Sequence, residues 1–333
     1  MFDRHAVGAQ GVQHGIGDAQ LVFDYQDRGH RCFQPSCLGG VQAQGKTISS
    51  ELMNYRHAFH AGNHADVLKH VVLLALVEAL KRKDAPFFVL DTHAGRGQYL
   101  LQGEHSDKTG EARGGIFRLF VLHGLPVLVQ NYLKRVQADN PVGALVSYPG
   151  SPLLVAQAMR EHDRLAACEL QPDEARALAV LFKHDSRVGV MARDGYGAVK
   201  ALLPPKEKRG LVLMDPPYEA QDGEFTAILA ALKEGLARWP TGTYAVWYPI
   251  KQRRTVLQFL RKAARLPCKS ALVAELLVRP DDSPLRLNGS GMLVINPPYQ
   301  LEQELAPALP VLARLLGDSH PSSSLQWLKQ ETP

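Results

Sequence analysis

Regular alternation of short apolar runs with helical patterns predicts an α/β protein built on a mainly parallel, doubly wound sheet. Apolar runs recur at Phe87–Leu90, Leu165–Leu170, Val188–Met191, Leu211–Met214, Thr243–Tyr248, Ala271–Val278 and Met292–Ile295. Each is short and bounded by polar or turn residues, as buried parallel strands are. Helical patterns separate most of them, which is the βαβα order of a parallel sheet, with the closing strands as an antiparallel edge. Acids follow several of the runs directly, and open α/β sheets place their chemistry at the carboxyl ends of their strands.

Residues 1–52 differ in texture from the rest, being rich in Gly and Gln with no sustained period of two or 3.6. They are expected to form a disordered extension, and Met53, where patterned sequence begins, is a candidate initiator. Asn63 caps a helix whose apolar positions Leu68, Val71, Val72, Ala75, Leu76, Ala79 and Leu80 follow the i, i+3, i+4 rule. Asp66, Lys69 and His70 fall on its polar side, and Lys81–Lys83 complement its carboxyl terminus.

Phe87–Leu90 reads as the first core strand. Residues 99–149 are too long for an ordinary connection and carry helical patterns broken by glycine, so a small inserted helical subdomain is expected there. The Rossmann-like domain then comprises 53–98 and 150–318, with Ser151 as N-cap and Pro152 opening a helix. Residues 319–333 read as a Ser-rich, poorly ordered tail.

The chain has 333 residues, 45% of them hydrophobic, which is ample for a large core. No apolar stretch approaches the ~20 residues of a membrane span. The amino terminus lacks a signal-peptide pattern. Four cysteines, Cys32, Cys37, Cys168 and Cys268, show no disulfide or zinc spacing, which fits a reducing cytoplasm. His57, His60, His64 and His70 lack the acidic or cysteine partners of a metal set, so no metal is expected. A net charge of +5 is compatible with a polyanionic partner, and cations gather at Lys81–Lys83, Lys206–Arg209, Lys251–Arg254 and Arg261–Arg265.

Asp91, Gly95 and Gly97 after the first strand make a tight loop in which backbone N–H groups can approach a ligand. His93 stands where a dinucleotide fingerprint wants its first glycine, which argues against NAD. Glu169 and the pair Asp194 with Gly195 end the next two strands. A carboxylate at each suits a ribose diol and an adenine amine, the demands of S-adenosylmethionine (SAM). Asp215-Pro216-Pro217-Tyr218, after Leu211–Met214, supplies a carboxylate, prolines that fix an extended turn, and an aromatic ring able to stack on a base. That set suits methyl transfer to an exocyclic amine, with Asp215 and the Pro216 carbonyl accepting its hydrogens. Asn296-Pro297-Pro298-Tyr299 looks alike, but it follows the last of the runs and reads as a structural turn.

Residues 55–70 (YRHAFHAGNHADVLKH), Asp91-Thr92-His93-Ala94-Gly95, Pro149-Gly150-Ser151-Pro152 and Asp215-Pro216-Pro217-Tyr218 closely resemble the bacterial large-subunit ribosomal RNA adenine-N6 methyltransferase J family. The resemblance runs from Met53 to near the carboxyl terminus. It implies a Rossmann-like, SAM-dependent methyltransferase with an inserted helical subdomain, acting on one adenine of 23S rRNA in the cytoplasm; a monomer meeting the rRNA before or during subunit assembly is the separate expectation. Carried over by position, Lys69, His70, His93, Gly95, Ser151, Glu169, Asp194, Gly195 and Asp215 would contact SAM or line its site. Asp215, Pro216 and Tyr218 would be catalytic, and Tyr55 and His57 would face the RNA. The rival readings are a DNA adenine methyltransferase and a silent RNA-binding scaffold of the same fold.

Overall fold

The computed structural model describes residues 60–101, 110–284 and 287–330. Tyr55, His57 and the segment 1–52 lie outside them. Helix α1 (His64–Lys81) precedes strand β1 (Phe87–Asp91), and Asn63 caps it by accepting from the Ala65 and Asp66 N–H groups. Between β1 and the second core strand lie β2 (Gln98–Leu100), a 3₁₀ turn, α2 (Ile116–Phe120), α3 (Val127–Ala138), β3 (Ser147–Pro149) and α4 (Ser151–Ala158). The chain then alternates through β4 (Arg164–Glu169), α5 (Pro172–Leu181), β5 (Val188–Ala192), α6 (Gly195–Leu202), β6 (Arg209–Met214), α7 (Gln221–Arg238), β7 (Thr243–Ile250) and α8 (Arg253–Ala263). It closes with β8 (Ala271–Leu277), β9 (Gly289–Ile295), α9 (Leu301–Leu305), α10 (Ala308–Leu316) and β10 (Ser322–Lys329).

One sheet has the order β10-β8-β9-β7-β6-β1-β4-β5, and β2 pairs with β3 in a separate ribbon. Strands β5, β4, β1, β6 and β7 are parallel; β9 is antiparallel to both β7 and β8, and β10 is antiparallel to β8. The alternating pleat sorts side chains onto two faces. Phe87 and Val89 point into one core with α1, α3, α4 and α10, whereas Phe88 and Leu90 point into the other with α6, α7 and α8.

Three features differ from the sequence expectation. Helix α1 is buried almost all round, Asp66, Lys69 and His70 included, so the side read as polar does not face solvent. Within 99–149, Val129, Tyr132 and Val136 of α3 join the core of α1, so these helices pack on the main fold's own core. The Ser-rich tail is strand β10, in register with β8 from Ser322 opposite Leu277 to Lys329 opposite Ala271. Sheet pairing there outweighs the weak strand preference of three consecutive serines.

Candidate functional site

The order of parallel strands reverses between β1 and β6, and the crevice at their carboxyl ends is where such sheets bind ligands. Asp91 ends β1 fully buried, and its Oδ2 accepts the Ser151 hydroxyl at 2.6 Å. Burial pushes its carboxyl up to about 7, against the lowering pull of that hydroxyl. Gly150, rather than Ser151, is the N-cap of α4, which releases the Ser151 side chain for Asp91. The Thr92 hydroxyl donates to Leu213 O at 2.9 Å and lies 2.8 Å from His93 Nδ1. With that hydroxyl proton engaged, Nδ1 carries the hydrogen between the two and Nε2 is left as an acceptor. Burial drives the His93 pKa down to about 4, so the ring is neutral at ordinary pH.

Glu169 ends β4 and bridges two loops, accepting the Gly95 N–H on Oε2 and the Gln171 N–H on Oε1, each at 2.8 Å. Asp194 ends the β5 connection and caps α6, accepting from Tyr196 N at 3.3 Å and Gly197 N at 2.6 Å. Each carboxylate thus holds backbone while keeping lone pairs for a ligand. Gly95 has φ +61°, a conformation side chains disfavour, and a Cβ on Gly195 would run into the Thr92 carbonyl.

His93, Gly95, Ser151, Glu169, Asp194 and Gly195 all line one cavity of about 240 Å³. Lys69 and Asp215 line it too. His70 does not line it: the ring is fully buried with Nδ1 2.8 Å from the Tyr148 hydroxyl, which in turn lies 2.9 Å from that of Tyr132. Tyr99, Gln171, Glu174, Tyr196 and Glu224 also line it without having been singled out in the sequence. The Tyr196 hydroxyl donates to Glu224 at 2.8 Å, and its ring meets His93 edge-on at 5.0 Å.

A second cavity, of about 430 Å³, lies on the other side of Asp215. Lys69, Asp215 and Pro217 line both cavities and so form the partition between them. Lys69 Nζ donates to Asp215 Oδ2 at 2.6 Å and to Asp66 Oδ1 at 2.7 Å. Burial works against the Lys69 charge, but the Asp215 and Asp66 carboxylates outweigh it and hold the pKa above the usual lysine range. Asp66 is anchored in turn by the Gly62 N–H at 2.9 Å. Its spacing of three residues from Lys69 on a helix was the available signal for this pair.

The Pro-Pro-Tyr turn departs from its expected form in two ways. Pro216 is buried, and Pro217 is the proline that lines both cavities. Tyr218, at φ +52°, is only 2% exposed, with its hydroxyl donating to Trp247 O and its ring edge-on to Phe225 and Trp247. It contributes to the floor of the second cavity rather than standing as an open stacking wall. Asn296 is remote from both, its side chain taken up by the Lys269, Pro240 and Gly242 backbone. Among the described residues, no group of three or more His, Cys, Asp or Glu is arranged to hold a metal ion. No helix among them is long and apolar enough to cross a membrane.

A doubly wound sheet with a ligand cavity at the β1/β6 switch point and a Pro-Pro turn at its rim defines a Rossmann-like methyltransferase fold. Residues 84–329 match the family described as Ribosomal RNA large subunit methyltransferase D, RlmJ, and the chain belongs to that family. It is 42% identical to Ribosomal RNA large subunit methyltransferase J of Escherichia coli K12 over 281 residues, 84% of this chain and all of that one. The Haemophilus influenzae protein of the same name is 43% identical over 282 residues, again 84% of this chain and all of that one. A solved structure from Legionella pneumophila, 36% identical, superposes with a TM-score of 0.74 over 80% of this chain and 98% of its own.

Proposed function

We propose that this chain methylates the exocyclic N6 of an adenine in 23S ribosomal RNA, taking the methyl group from SAM. The observation that carries the reading is Asp215 standing between two cavities, one for the donor and one for the base. The first cavity fits SAM in its donor set: carboxylates of Glu169 and Asp194 at successive strand ends, the Ser151 and Thr92 region at the β1 end, and Leu170 as an apolar surface for a ring. Glu169 and Asp194 would hold the hydroxyl and amine hydrogens of the nucleoside, and His93 would lie toward the partition. When bound, SAM supplies an electrophilic methyl group on a sulfonium.

The adenine amine is a poor nucleophile because its lone pair is delocalised into the ring. Asp215 corrects this by accepting an N6 hydrogen. Its Oδ2 is held by Lys69, which leaves Oδ1 for the amine. Lys69, locked by Asp66, is therefore a positioning residue for the Asp215 carboxylate. Most of the rate comes from holding amine and methyl donor at contact distance across the partition. The base reaches the second cavity unpaired or flipped, bordered by Pro217, Tyr218 and Trp247.

Transfer of labelled methyl from SAM to 23S rRNA, followed by mapping of the product nucleoside, tests this reading. N6-methyladenine at one position in rRNA, with duplex and single-stranded DNA left unlabelled, is the expected result. Preferential labelling of DNA, or label on another base, would overturn it.

A further inference from the structure

The segment 251–274 holds seven cations, Lys251, Arg253, Arg254, Arg261, Lys262, Arg265 and Lys269, and no Asp or Glu. Helix α8 lies within it and buries Val256, Phe259, Leu260 and Ala263 against the sheet. The 3.6-residue period then puts Arg254, Leu257, Gln258, Arg261 and Lys262 outside, Arg265 follows just past the helix end, and all six are exposed.

A merely solvated helix face mixes charges, and α7 next to it does so. Its outer side carries the exposed Lys233 and Arg238 and the half-buried Glu234, with Arg238 donating to Glu234 at 2.6 Å. On α8 the pattern is different. Among the described residues, Arg253 is the α8 cation that is neutralised, by Glu275 and Asp281. Arg254, Arg261, Lys262 and Arg265 make no ion pair among the described residues, although Asp282 borders the same shallow hollow as Arg254. One-signed, unpaired charge on a rigid helix costs folding energy through self-repulsion, and a polyanion relieves it.

Position names the polyanion. Lys251, just before α8, lines the second cavity. From that rim the cationic face runs along α8 for roughly 15 Å at 1.5 Å per residue, a span of several nucleotides. We infer that the exposed face of α8 is a phosphate-binding strip carrying the RNA strand that flanks the target adenine. This rests on the function proposed above, since it takes the second cavity as the seat of the base. Phosphate contacts of this kind position a nucleic acid without reading its sequence.

The test is the triple variant R254Q/R261Q/R265Q in the full chain, assayed for methyl transfer to 23S rRNA over a series of salt concentrations. None of the three residues lines either cavity. At near-physiological salt the KM for RNA should rise by about tenfold or more, with kcat at saturating RNA and SAM affinity unchanged. The slope of log affinity against log salt should become shallower by roughly two to three, at about 0.7–0.9 per lost phosphate contact. R254K/R261K/R265K should restore both, whereas K233Q/R238Q on α7 should change neither. An unchanged KM and slope in the glutamine variant overturns the strip while leaving methyl transfer by the unmodified protein intact. Failure of the unmodified protein to methylate rRNA defeats the functional reading itself, and the strip with it. If the triple variant does not fold, R261E alone must give the same direction of change in KM and slope, or the inference fails.

Discussion

Asp215-Pro216-Pro217-Tyr218 leaves β6 and Asn296-Pro297-Pro298-Tyr299 leaves β9, both after strands buried on both faces. Local sequence hardly distinguishes them; strand direction does. Strand β7 is parallel to β6, pairing Met214 with Val246, but antiparallel to β9, pairing Ile295 with Tyr244. The two turns therefore emerge at opposite ends of the sheet. The first meets Lys69 and the ligand crevice. The second meets the loops before β7 and β8, where the Asn296 amide donates to the Pro240 and Gly242 carbonyls, each at 2.9 Å. One ring is buried at 2% exposure and the other is 81% exposed. A turn motif acquires chemistry only from the sheet edge to which topology delivers it.

Exchanging the acid and amide between the turns gives the sharpest contrast. Asp215→Asn removes the charged acceptor and should lower single-turnover methyl transfer by about 10²–10³-fold, the scale of a positioned acid–base or oxyanion group. Asn296→Asp should leave turnover within about twofold. Comparable losses in both variants would dissolve the distinction. Next in size is Lys69→Met, which strands the Asp66 and Asp215 carboxylates without their shared cation. An uncompensated buried charge costs about 3–5 kcal/mol. Denaturant unfolding should show a drop near the lower end of that range, because Asp215 retains some exposure.

Two buried groups at the crevice end should also make stability depend on pH. Asp91 is raised from 3.8 to about 7, so the folded state keeps a proton that the unfolded chain releases near pH 4. Stability from this group is therefore lost as pH rises from about 4 to about 7. His93 is lowered from 6.5 to about 4 and acts oppositely, its contribution being lost as pH falls through that window. The two slopes oppose each other. Asp91→Asn removes the first, so the thermal midpoint should climb more steeply with pH from 4 to 7 than in the unaltered protein. The difference should reach a few kcal/mol at most, at about 1.4 kcal/mol per unit. Parallel curves for the two proteins would mean that Asp91 is not the source.

The parallel core was legible because strands buried on both faces write themselves as uninterrupted apolar runs, and the acids after β1, β4, β5 and β6 mark the crevice. Glu169, Asp194 and Asp215 were found that way, and they do converge on one cavity. Periodicity assigns residues to helix faces but does not say what lies against a face. That is why Asp66 and Lys69 read only as a polar side when they line the second cavity. It also explains His70, which the resemblance placed among cofactor contacts and which lies against Tyr148 in the core. The β2–β3 ribbon, with three residues per strand, is too short to show a period. Strand β10 is an edge whose Ser-rich run gains its structure from β8.

Asn296→Asp separates fold from chemistry a second time. The carboxylate cannot donate to the Pro240 and Gly242 carbonyls, and leaving such acceptors without donors costs about 1–3 kcal/mol. Equilibrium unfolding should report that loss although methyl transfer is unaffected. The smallest effects belong to the two tyrosines. Tyr218→Phe deletes only the hydrogen bond to the Trp247 carbonyl and keeps the ring between Phe225 and Trp247, so a loss of about 1 kcal/mol is expected. Tyr299→Phe alters an exposed ring and should fall within about 0.5 kcal/mol of the unaltered protein. Because the Tyr218 ring edge borders the second cavity, its phenylalanine variant should keep its KM for RNA within about twofold. A large rise in KM would show that the hydroxyl, and not the aromatic face, meets the base, and the turn on β6 would then differ from its twin in hydrogen bonding to substrate as well as in position.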